Sequence, residues 1–86
     1  MPTISSFYGL VIAMYLNDHE PPHFHAQHDK LKAKVRIDTL EVIDSTLTVR
    51  DLRLVLAWAE LHQPELLDNR TRIRSNETLN AIAPLR

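Results

Sequence analysis

Two adjacent prolines, Pro21 and Pro22, set the strongest limit on how this chain folds. Each lacks an amide hydrogen and clashes with a preceding helical turn, at about 3 kcal/mol in a helix interior. Each also pushes the residue before it out of the α region. In the stretch NDHEPPHFHA, from Asn17 to Ala26, Glu20 and Pro21 are therefore held extended. It nevertheless spells H-E-x-x-H between His19 and His23, the string of zinc proteases, whose histidines share a metal only when a helix places them on one face. The protease reading fails on backbone geometry. What survives it is a concentration of imidazoles: His19, His23, His25 and His28.

Around this proline turn the pattern is that of strands. Phe7 to Asn17 is an apolar run rich in β-branched and aromatic residues, ending at the turn-forming pair Asn17-Asp18, and reads as one strand apolar on both faces, hence central. Gly9 within it marks a bulge or a close backbone approach. Phe24 to Gln27 forms a second strand, and His28-Asp29-Lys30 a turn. Leu31 to Asp38 alternates most cleanly, with Leu31, Ala33, Val35 and Ile37 inward and Lys32, Lys34, Arg36 and Asp38 outward. Leu40 to Ile43 is a short fourth strand.

The second half is helical. Thr48 is a good N-cap, with Asp51 in the first turn where the helix dipole favours an acid, and the helix runs from about Val49 to His62. Pro64 either ends it or opens a second helix to about Arg74. Apolar residues from Leu79 to Leu85 can pack back on the sheet. The expected architecture is α+β: a small, mostly antiparallel sheet of three to four strands, packed on one face by one main helix and a shorter second helix, as a single domain over residues 1–86.

The main helix carries more apolar surface than one face needs. Leu52, Val55, Leu56 and Ala59 form the stripe, while Leu54, Trp58 and Leu61 lie on a flank. Either the second helix covers Trp58 or another chain does, in which case these three residues anchor an interface with a protein partner or a second copy. With 86 residues and no cysteine there is neither disulfide nor thiolate metal site to reinforce the core. The formal charge of -1 argues against a protein held to nucleic acid by bulk electrostatics. A local basic stripe is compatible with it. No segment approaches eighteen consecutive apolar residues and the start lacks a signal-peptide pattern, so a cytoplasmic protein away from membranes is expected.

On a strand, His23 and His25 point to the same face, and two imidazoles so placed can share one zinc ion, with His19 or Asp18 as third donor. No cofactor is required. A metal-free alternative uses the pair as acid and base, since an imidazole exchanges protons near neutral pH, with Asp18 or Glu20 orienting one ring. RNA cleavage through the 2′-hydroxyl needs such a pair and a cation for the phosphate. Lys32, Lys34 and Arg36, with Lys30, put a cationic row beside the histidines if the strands pair. The plainer readings are polar rings stacked around a hairpin turn, and a lysine-lined face that discourages edge-to-edge pairing. His28 falls on the opposite face, and Arg70, Arg72 and Arg74 suit the second helix's dipole.

Met1-Pro2-Thr3-Ile4-Ser5 with Phe7-Tyr8-Gly9, Asn17-Asp18-His19, Pro21-Pro22-His23-Phe24-His25-Ala26, Leu54-Val55-Leu56-Ala57-Trp58-Ala59 and Ile82-Ala83-Pro84-Leu85 together resemble the bacterial domain of unknown function family 4160 over almost the whole chain. Glu20 stands where that family requires no glutamate, Arg70 where an aromatic residue is frequent, and Pro64 where a charged helix former is usual, which implies a shifted or kinked second helix. The resemblance implies no set activity. It implies a small cytoplasmic interaction protein, one component of a two-gene toxin–antitoxin-like or regulatory module, and the rival expectation is a small histidine-dependent nuclease or metal-binding protein.

Overall fold

A computed structural model describes residues 3–16 and 20–86. Five strands form one antiparallel sheet in sequential order: β1 (Thr3–Phe7), β2 (Leu10–Ala13), β3 (His23–His28), β4 (Leu31–Arg36) and β5 (Val42–Ser45). Two helices follow, α1 (Val49–Leu61) and α2 (Gln63–Arg74). The α+β class, the antiparallel sheet and both helices are as expected, but the sheet has five strands where three to four were expected.

The extra strand is β1, Thr3–Phe7, which precedes the run Phe7 to Asn17 read as one strand; within that run only Leu10–Ala13 is a strand, and Phe7 closes β1. Phe7 pairs with Leu10 across a two-residue turn in which Tyr8 and Gly9 both have positive φ, at 50° and 83°. That is the geometry of a type I′ hairpin turn, whose twist suits the flanking strands. Tyr8 is not a customary turn former, so little in the local sequence marks this turn. β5 begins two residues later than expected because Leu40, at φ 60°, still turns the chain.

The cleanest alternation survives in three dimensions. Ala33, Val35 and Ile37 are buried with Leu10, Ile12 and Phe24 against Val55, Trp58 and Leu66, whereas Lys32 and Lys34 face out. Leu31, at the start of β4, is the exception and is exposed. Thr48 caps α1 through its hydroxyl, which accepts from the Asp51 amide at 3.1 Å. α2 runs unbroken with Pro64 in its first turn, where the missing amide hydrogen costs nothing, so the proline neither shifts nor kinks it.

Beyond α2 the chain folds back and closes the core. Buried Asn69 holds Asn80 by two bonds, donating from Nδ2 to its carbonyl at 2.9 Å and accepting from its amide at 2.8 Å. The Ile82 amide donates to the Ile4 carbonyl at 2.8 Å, and the Trp58 indole donates to the Ala83 carbonyl at 2.8 Å. Trp58 is thus completely covered within one chain. Its ring meets Phe7, Phe24 and His62, so the cover is the sheet and the returning tail, neither the second helix alone nor another chain. Of the expected interface flank, Leu54 is half-buried against the core and Leu61 is 68% exposed. With Trp58 withdrawn, no tryptophan anchor remains on that surface.

The open face of the sheet as candidate functional site

Both helices pack on one face of the sheet, so the other face carries the alternate residues. The register fixes what stands beside what. His23 is opposite Arg36, His25 opposite Lys34 and Gln27 opposite Lys32, which brings the expected cationic row directly alongside the histidines. Directly paired residues have Cβ atoms roughly 4.5–5.5 Å apart, within reach of one small ligand. On the other side of β3, Ala13 is opposite His25 and Val11 opposite Gln27, a small apolar floor.

The two imidazoles converge. His23 and His25 lie edge to face with ring centroids 4.9 Å apart, and Tyr15 meets His25 the same way at 4.7 Å. His23 Nδ1 is 2.9 Å from the Pro21 carbonyl oxygen. A carbonyl can only accept, so Nδ1 carries the hydrogen, and in the neutral ring Nε2 is the basic nitrogen. The proline turn that excludes a helix thereby sets the tautomer of the first histidine after it.

The row of cations is not uniform. Arg36 is tied to Asp38 by two bonds, at 2.6 and 3.0 Å, and this pairing raises the guanidinium pKa and lowers that of the carboxylate. Among the described residues, Lys32 and Lys34 form no ion pair, so the available charge is concentrated in them. Glu20 does not serve the histidines. Arg70 grips its carboxylate at 2.9 and 3.1 Å and Arg74 adds a contact at 3.4 Å, fastening the proline turn to α2. The other two candidate donors, His19 and Asp18, lie outside the described residues. Among the described residues no group of three or more histidine, cysteine, aspartate or glutamate side chains could hold a metal ion.

One pairing escaped the sequence. His28, on the helix-facing side of β3, donates from Nδ1 to the carboxylate of Asp51 at 2.7 Å; Asp51 is buried and also receives Arg50 at 3.1 Å. Strand parity places His28 on that side, but nothing local links it to a residue in the first turn of α1. The ring packs against Gly9, where an added Cβ would stand 2.8 Å from His28 Nε2. This explains the glycine as a close approach rather than a bulge.

Among the described residues, no helix is long and apolar enough to cross a membrane. No curated protein and no solved structure matches the chain. A family model, described as a domain of unknown function (DUF4160), matches residues 9–69, from the hairpin turn through the histidine strand and α1 into α2. On a match covering well over half its length, the chain belongs to the DUF4160 family.

Proposed function

We propose that this protein is a small interaction module, one component of a two-gene toxin–antitoxin-like or regulatory pair, whose working surface is the open face of the sheet. The observation that carries this is the register of β3 with β4, which sets His25 beside Lys34 and Gln27 beside Lys32 on the face that no helix covers. A sheet face with imidazoles on one strand and, on the next, lysines that form no ion pair among the described residues suits an anionic partner, although Asp44 on β5 stands opposite Lys34. With Trp58 in the core, the α1 flank lacks its strongest candidate anchor, which favours the sheet face in this reading. The test is binding to inorganic polyphosphate at low salt. Lys34→Glu is expected to weaken it at least tenfold, while Arg53→Glu, an equal charge change on the exposed side of α1, leaves it within twofold. Equal losses from both would mean that only overall charge matters, and the sheet-face reading would fall.

A second reading has its own support in the convergence of His23 and His25, 4.9 Å apart with the tautomer of one ring set by Pro21. In this reading the pair cleaves RNA, one imidazole taking the 2′-hydroxyl proton and the other protonating the leaving oxygen, with Lys34 near the phosphate. Cleavage should then follow a bell-shaped pH profile, because one ring must be neutral and the other protonated. The decisive comparison is the intact chain against the His23→Ala, His25→Ala double variant. A zinc-assisted use of the pair with His19 would appear as loss of cleavage with chelator and its return with zinc. Equal background signal from both chains would end the nuclease reading.

A further inference from the structure

We infer that the anionic partner of the sheet face is single-stranded RNA, and that one nucleotide seats between Tyr15 and the lysine pair; this rests on the sheet-face reading above. A depression of about 310 Å³ lies on this face. It is lined across three strands, by Val11, Ala13 and Tyr15 on the β2 side, by His25 and Gln27 on β3, and by Lys32 and Lys34 on β4. The size is at the lower end of small-molecule sites and suits a planar ring with its sugar. Apolar side chains and aromatic rings toward one side and cations toward the other match the two ends of a nucleotide, base and phosphate.

The pattern extends beyond one pocket. Tyr15, His25 and His23 make a continuous row of rings, each edge to face with the next at 4.7 and 4.9 Å, and the cations of β4 run alongside. Alternate residues on a strand are roughly 6.6–6.8 Å apart, the same order as the phosphate repeat of an extended single strand. An acidic peptide would use the lysines but leave the rings without a role, and a duplex keeps its base faces stacked and out of reach. RNA is favoured over DNA because its 2′-hydroxyl adds a donor and acceptor that a polar sheet face can engage and that the deoxy strand lacks. Arg36, already paired with Asp38, adds little, so two phosphate contacts are expected.

The experiment is fluorescence anisotropy with labelled octauridylate, its deoxy counterpart, an RNA duplex of the same length and polyglutamate. Octauridylate should bind tightest. Lys32→Ala with Lys34→Ala should make the slope of log affinity against log salt shallower by about 1.4, since each single-strand contact contributes about 0.7. Tyr15→Leu should weaken binding roughly tenfold without changing that slope, because stacking is not a counterion effect. Tyr15→Phe keeps the ring and should bind like the intact chain, which guards against Tyr15→Leu simply unfolding. Equal binding of the deoxy strand overturns the assignment to RNA. Equal binding of duplex and polyglutamate, with Tyr15→Leu folded and silent but the lysine variant weakened, overturns the nucleotide seat and leaves the anionic face standing. No binding of any polyanion removes both.

Discussion

Replacing Trp58 by alanine is expected to cost about 3–5 kcal/mol of folding stability, the range for emptying a fully packed aromatic site. A domain of this size has roughly 5–10 kcal/mol in total, so the variant would be close to unfolded at physiological temperature. The ring is 0% exposed and touches Phe7 at 5.5 Å, Phe24 at 5.8 Å and His62 at 5.7 Å, so neighbours from β1, β3 and the α1–α2 junction all lose contact at once. The indole also holds the Ala83 carbonyl, so the tail would loosen with it. Urea unfolding is the measurement. With a slope of about 1–1.5 kcal/mol per molar, the midpoint should fall by roughly 2–5 M. Trp58→Phe retains most of the packing but not the N–H donor, and should lose only about 1–2 kcal/mol. Leu61→Ala, on the exposed side of the same helix, should stay within about 0.5 kcal/mol of the intact chain. A tryptophan that anchored a subunit interface would behave differently, since its loss would make the midpoint depend on protein concentration. A Trp58→Ala midpoint unchanged at all concentrations would contradict the core assignment.

The elements legible in the sequence were those with local causes. Alternation along Leu31 to Ile37 reports one buried face, the Thr48 hydroxyl and Asp51 mark a helix start, and Pro64 is tolerated only at the start of α2. The proline pair and strand parity together placed His23 and His25 on one side and His28 on the other, and both placements hold. What stayed hidden depends on partners distant in sequence. Trp58 has the composition of an interface anchor, and only the returning tail, 25 residues away at Ala83, decides that it is core. Asp51 looks like a simple first-turn acid until the fold brings His28 to it, 23 residues away. The row at Lys32, Lys34 and Arg36 was visible as a pattern, but its inequality was not, because the Asp38 side chain that engages Arg36 projects from the same stretch and reads from sequence as one more outward polar residue.

Gly9→Ala is expected to destabilise the fold by about 2–4 kcal/mol, from two separable causes. The first is the backbone. At φ 83° glycine is relaxed, whereas a residue with a Cβ is strained there by about 1–2 kcal/mol. The second is space. The new methyl would meet His28 Nε2 at 2.8 Å and Cε1 at 3.0 Å, inside normal contact distance, so the imidazole must shift. It is not free to do so, because its Nδ1 donates to Asp51 at 2.7 Å, and Asp51 is a buried carboxylate whose remaining side-chain partner is the largely exposed Arg50. Pulling the ring away weakens the bond that ties β3 to the first turn of α1, and leaves a buried charge poorly compensated. A double-mutant cycle separates the causes. If the clash matters, Gly9→Ala should cost less in a His28→Ala background than in the intact chain, by about 1 kcal/mol or more, with the backbone strain remaining. Gly9→Asn gives a second check, since asparagine accepts the left-handed region yet still carries the offending Cβ. It should recover part of the backbone cost and none of the clash. Additive losses in the cycle would mean that His28 accommodates the methyl, and the glycine would then be needed for the hairpin turn alone.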